Sequence, residues 1–130
     1  MRLLLDTCAF LHLIWGEPAL SEKMREVIAD TDNDIFVSAV TIWEACVKHQ
    51  LGKLHIVTPE PAAAHFTRLR EAHALTALPV DEACIRHLAR LPMIHRNPFD
   101  RLLICQALEA DMTIVTPDRD IMQYPVTTTW

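Results

Sequence analysis

Four acidic residues, Asp6, Glu44, Asp100 and Asp118, sit where a parallel α/β sheet would bring them together. Asp6 ends the apolar run Leu3-Leu4-Leu5, and Glu44 lies just past the run Ile35-Phe36-Val37. Asp100 falls in the first turn of a helix opened by Asn97-Pro98-Phe99, and Asp118 follows Thr113-Ile114-Val115-Thr116. Carboxylates crowded together without countercharge repel and raise one another's pKa values. A hard divalent cation with oxygen ligands relieves that repulsion. The chemistry this points to is metal-assisted hydrolysis of a phosphodiester.

Each acid also has a local structural explanation. Asp6 suits a helix N-cap. Thr41-x-x-Glu44 matches a capping box, and Glu44 to Lys48 is a favourable i,i+4 pair. Asp100 would occupy the third position of a helix capped by Asn97 with Pro98 first, where a negative charge meets the helix dipole favourably. Asp118 and Asp120 lie in a turn that favours aspartate, and either fits as the fourth acid. The functional argument is therefore their joint placement at one edge, where open α/β sheets bind ligands.

The elements that must position them alternate. Strands are expected at 2–5, 35–38, 76–80 and 112–115, with a short fifth within 125–129. Helices are expected at 7–14, 22–30, 39–51, 60–73, 82–90 and 98–110, with a loop over 91–97. Ser21 and Asp81 are candidate caps, and Gly52 suits a helix C-terminus. Strands and helices in this alternation predict an α/β fold with a parallel, doubly wound sheet of four to five strands. Their continuous apolar runs suit a sheet covered on both faces. Residues 1–130 are read as a single domain.

The chain is 51% apolar, which excludes a disordered protein. No apolar run approaches the roughly 18–20 residues of a membrane span. Asp6 interrupts the N-terminal apolar stretch, and no small-residue cleavage site follows, so a signal peptide is not expected and the location is read as cytoplasmic. A net charge of −5 argues against a broad basic surface coating nucleic acid, although Lys48, Lys53, Arg96, Arg101 and Arg119 flank the acids. Cys8, Cys46, Cys84 and Cys105 form no C-x-x-C pair and read as buried apolar side chains. The histidines show no metal-ligand spacing; His95, just before Arg96-Asn97, is the one candidate substrate contact.

Taken together, Leu4-Leu5-Asp6-Thr7, Val37-Ser38-Ala39-Val40-Thr41-Ile42-Trp43-Glu44, Pro98-Phe99-Asp100-Arg101-Leu102-Leu103 and Ile114-Val115-Thr116-Pro117-Asp118 resemble the motifs of PIN-domain ribonucleases. The resemblance is greatest to VapC-type toxins of toxin–antitoxin pairs. It implies a three-layer α/β/α fold, an RNA substrate, and Asp6, Glu44, Asp100 and Asp118 as catalytic, metal-binding residues for Mg²⁺ or Mn²⁺. Thr7, Ser38 and Thr116 look like hydroxyl positions that orient the carboxylates, and Arg101 like a phosphate contact or a surface ion pair. Related chains often carry aspartate where this one has Asn97; the capping role is expected to survive and the charge is gone. The resemblance further implies a homodimer and a cognate antitoxin, with helix 22–30 and Phe10, Leu11, Leu13, Ile14 and Trp15 as candidate contact surfaces.

Other readings fit less well. A haloacid-dehalogenase-type phosphatase needs D-x-D where this chain has Asp6-Thr7-Cys8. A receiver domain needs an aspartate on the third strand and a late lysine, and neither is present. Cys84 to Arg90 spells C-x₅-R without the glycines of a phosphate-binding loop. A PIN nuclease of RNA processing, and a non-catalytic RNA- or protein-binding PIN module, remain alternatives to the toxin.

Overall fold

Strand side chains alternate between faces, so Leu3 and Leu5 of β1 (Arg2–Leu5) pack on one side of the sheet and Leu4 on the other. All three are fully buried, each contributing about 1.5–3 kcal/mol relative to exposure. In the computed structural model, which describes residues 1–130, β1 is the middle strand of a five-stranded sheet. It pairs in parallel with β2 (Asp34–Ser38) on one side and β4 (Thr113–Val115) on the other. β3 (Thr76–Leu78) and β5 (Thr128–Thr129) form the edges, giving the order β3-β2-β1-β4-β5, all parallel.

Helices cover both faces, as expected for three α/β/α layers. α1 (Thr7–Ile14), α2 (Glu22–Ala29), α3 (Ala39–Gln50) and α4 (Ala62–Ala72) enclose a core with Leu3, Leu5, Ile35 and Val37, in which Phe10 and Phe66 are fully buried. α5 (Glu82–Ile85) and α6 (Pro98–Ala110) cover Leu4 and Ile114 with Cys84, Leu103, Ile104 and Tyr124. Phe10 and Leu11 thus belong to the core, which removes them from the surfaces expected to meet a partner; Trp15 remains exposed. No helix is long and apolar enough to cross a membrane.

The expected elements are present, with informative departures. The helix expected over 82–90 continues beyond α5 only as a tighter 3-10 segment, Arg86–Arg90. Its apolar anchorage is thin, because Leu88 is exposed while Cys84 and Leu91 are buried. Short helices without a buried face are marginal, and 3-10 geometry is common at their ends. β3 stops before Pro79, which has no N–H to donate. α4 starts after Pro61, since a residue preceding proline is disfavoured in α geometry. Gly52, at φ +71°, follows α3 in the left-handed conformation that glycine adopts without steric cost.

The register does the positioning. Leu5 pairs with both Val37 and Val115. β1 and β4 therefore end level, β2 runs one residue further, and Asp6, Ser38 and Thr116 lie side by side at that edge. The chain runs from β1 outward through β2 and β3 and then returns to β1's other side as β4. That reversal opens a crevice at the C-terminal ends of β1 and β4.

Candidate active site

Asp6 serves as cap and pocket wall at once. Its Oδ1 accepts the Ala9 N–H at 2.7 Å, closing the start of α1. Its Oδ2 accepts from the Thr116 hydroxyl, which in turn accepts the Asp118 N–H at 3.0 Å. Burial pushes the Asp6 carboxyl up to about 6 despite the Thr116 and Ala9 hydrogen bonds that favour its anion.

Glu44 comes from the second turn of α3 and is only 5% exposed. The capping box does not form, because the cap is Ser38, whose Oγ accepts the Val40 N–H at 3.0 Å. Thr41 lies inside the helix with its hydroxyl buried and unpartnered. No ion pair joins Glu44 to Lys48. Instead Glu44 Oε2 accepts from Asn97 Nδ2 at 3.0 Å. Asn97 Oδ1 accepts the Phe99 N–H at 2.9 Å and caps α6, with Pro98 in its first turn.

That cap sets Asp100 facing Glu44 across the pocket. Burial first, then the Glu44 charge, push Asp100 up to about 7, against the favourable influence of His95. Asp118, more open, is held below the usual carboxylate range. Burial works to raise it, but is outweighed by a 3.0 Å hydrogen bond from His95 Nε2 and by the amides of Asp120 and Ile121.

All four carboxylates line one cavity of about 390 Å³, together with Thr7, Cys8, Lys48, His95 and Asn97. Asp6 and Asp118 have both oxygens engaged by protein donors. Glu44 Oε1 and Asp100 Oδ1 receive no hydrogen bond from the protein. Two free carboxylate oxygens, in a pocket where burial makes Asp6 and Asp100 resist ionisation, are a donor set fitted to a hard divalent cation.

The remaining candidates divide. Thr116 is at the site, and Thr7 lines it. Ser38 is turned away from the carboxylates: besides capping α3, its Oγ donates to Gln106 Oε1 at 2.5 Å, tying β2 to α6. Arg101 does not line the acidic cavity and makes no ion pair. Its Nη1 donates to the Pro92 carbonyl at 2.8 Å and to the Tyr124 hydroxyl at 3.1 Å. Asp120 is exposed and lends the site only its backbone N–H. Cys8 and Tyr124 gave no signal in the sequence. Cys8 sits one residue past Thr7 in an apolar helix, and burial followed by the Asp6 charge raises its thiol.

A model of the PIN domain matches residues 3–126. Ribonuclease VapC16 of Mycobacterium tuberculosis is 32% identical over 65 residues, a match taking in 50% of this chain and 45% of that protein. Among solved structures, VapBC2 from Rickettsia felis, bound to a DNA fragment from its promoter, superposes with a TM-score of 0.75 at 16% identity, covering 100% of this chain and 99% of that one. VapBC-1 from nontypeable Haemophilus influenzae gives 0.69 at 18% identity, covering 99% and 97%. FitAcB from Neisseria gonorrhoeae gives 0.64 at 18% identity, covering 98% and 96%. These likenesses are of fold, and the family match spans nearly the whole chain: the protein belongs to the PIN-domain family.

Proposed function

We propose that this protein is a divalent-cation-dependent endoribonuclease, the toxin of a toxin–antitoxin pair. The observation that carries the reading is the convergence of Asp6, Glu44, Asp100 and Asp118 on one cavity, with Glu44 Oε1 and Asp100 Oδ1 left free. A bound Mg²⁺ or Mn²⁺ supplies Lewis acidity to a phosphodiester and lowers the pKa of a nearby water.

The protein's own groups do the holding. Glu44 and Asp100 offer their free oxygens as direct ligands. Asp6 and Asp118 add charge, their positions fixed by Thr116 and by the amides of Ala9, Asp120 and Ile121. Asn97 keeps Glu44 extended toward the pocket. Lys48 lines the same cavity without an ion pair, and is the cationic side chain available to an RNA phosphate. Water adds to phosphorus and the P–O3′ bond breaks, leaving a 5′-phosphate and a 3′-hydroxyl.

An antitoxin as partner is supported by the VapBC structures to which the chain is similar, while the homodimer follows from the resemblance of the sequence motifs alone. Exposed Trp43, Ile85, Leu88 and Met93 provide apolar surface of the kind partner contacts use. The test is cleavage of total RNA with mapped ends, comparing wild type with Asp6→Asn. Metal-dependent cuts with 5′-phosphates, lost in the variant, are expected. Cleavage undiminished in the variant or in EDTA would remove the reading. Growth arrest on expression, relieved by a small neighbouring gene product, would separate a toxin from an RNA-processing nuclease.

A further inference from the structure

His95 enters the acidic cavity from a loop rather than from a helix or strand. Its Nε2 lies 3.0 Å from Asp118 Oδ2 and 3.0 Å from Asp100 Oδ2. Only the contact with Asp118 has hydrogen-bond geometry. These three groups bring ligand atoms within 4.8 Å of one another, close enough to chelate a cation. Whether the imidazole joins such a chelate depends on which ring nitrogen carries the proton.

The other ring nitrogen answers that. His95 Nδ1 lies 3.1 Å from the Asn97 backbone N–H, which can only donate. Nδ1 therefore presents its lone pair to Asn97, and the proton of the neutral ring sits on Nε2. A protonated Nε2 has no lone pair for a cation; what it has is a donor for Asp118.

The loop has little freedom to present the ring differently. The Tyr124 hydroxyl accepts the N–H of His95 at 2.7 Å and that of Ile94 at 3.2 Å. It also accepts from Arg101, which holds the Pro92 carbonyl as well. Tyr124 is 4% exposed, packed in the core beneath Leu4 and Ile114. Arg101, the first-turn neighbour of Asp100, thus ties α6 to the loop that carries His95.

We infer that His95 is a positioning residue of the acidic pocket: its Nε2–H holds Asp118 against the site, and it is not a metal ligand. The inference rests on the proposed function, since it assigns His95 a place beside the cation site proposed there. It reverses what the clustering of His95, Asp100 and Asp118 alone would suggest. It also divides the four acids: Glu44 and Asp100 bind directly, while Asp118 acts through its charge in an orientation that His95 sets.

Two measurements on the folded protein test this. Long-range ¹H–¹⁵N spectra of the wild type, metal-free and with saturating Mg²⁺, should show His95 protonated at Nε2 and bare at Nδ1 in both states. Mn²⁺ affinity read by electron paramagnetic resonance should fall roughly 10-fold in His95→Ala, in line with the loss of a group that orients a carboxylate ligand or its neighbours. His95→Gln, whose amide can still donate, should recover part of that loss. A shift of the proton to Nδ1 on adding Mg²⁺ would overturn the inference while leaving the nuclease reading standing. So would unchanged Mn²⁺ affinity in His95→Ala, or a loss as complete as that of Asp100→Asn. Failure of the wild type to bind either ion would remove the proposed function, and this inference with it.

Discussion

Asn97 Nδ2 donates to Glu44 Oε2 at 3.0 Å while Asn97 Oδ1 caps α6, so one side-chain amide both starts the helix bearing Asp100 and holds the acid opposite it. An aspartate at this position could cap but could not donate. Asn97→Asp should therefore leave α6 intact and place a further carboxylate against Glu44. We expect the metal-free variant to lose about 1–3 kcal/mol in urea unfolding, the cost of breaking a partly buried hydrogen bond to a carboxylate. Mg²⁺ should restore more stability to the variant than to the wild type. Equal stability in EDTA would contradict this use of Asn97.

Thr116 joins β4 to the acid at the end of β1 by donating to Asp6 and accepting from the Asp118 amide. Thr116→Val removes both bonds with little change of volume. It should destabilise the protein by about 1–3 kcal/mol, because it leaves a buried carboxylate short of a donor. Thr116→Ser retains the hydroxyl and should cost less. Urea midpoints of the two variants check the order.

The pH dependence of metal-free stability follows from Asp6 and Asp100, raised from 3.8 to about 6 and about 7. Below about 4 both groups are protonated folded and unfolded, and they contribute nothing. Between about 4 and about 7 the unfolded chain has released these protons while the folded chain keeps them. Stability then falls as pH rises, by roughly a few kcal/mol in all, and levels off above about 7. Asp118, held low, works in the opposite sense: its contribution is present above the ordinary aspartate value and fades as pH falls below it. Thermal unfolding in EDTA across pH 4 to 8 should show the decline, flattened in Asp100→Asn.

Local rules made some of this legible in the sequence. The Leu3-Leu4-Leu5-Asp6 junction needs only strand alternation and a helix cap. The Asn97-Pro98-Phe99-Asp100 start of α6 is written in four adjacent residues, and both appear where expected. What local rules missed was decided across the fold. Thr41 and Glu44 have capping-box spacing, but Ser38 begins the helix earlier and leaves Glu44 to Asn97, 53 positions away. Ser38 had the right type for the site, yet its hydroxyl is claimed by Gln106, 68 positions on. Tyr124 carries no pattern of its own, and His95 stands out only by its place before Arg96-Asn97, which does not reveal its bond to Asp118. Their pairing depends on a loop laid over the end of the second core.

Tyr124→Phe isolates that loop. The substitution keeps the buried ring and removes the acceptor for the amides of Ile94 and His95. Their hydrogen exchange should accelerate at least about 10-fold, while amides of β1 keep near-native protection, since loops open locally at lower free energy than core strands. Unchanged exchange at Ile94 and His95 would mean the loop is held by other contacts.

Whether acids remote in sequence form one cation site is read straight from an anomalous difference map of crystals soaked in Mn²⁺. A peak is expected in the cavity lined by Asp6, Glu44, Asp100 and Asp118, about 2.0–2.2 Å from oxygens of Glu44 and Asp100. An empty cavity at saturating Mn²⁺, with RNA still cut in EDTA, would contradict such a site.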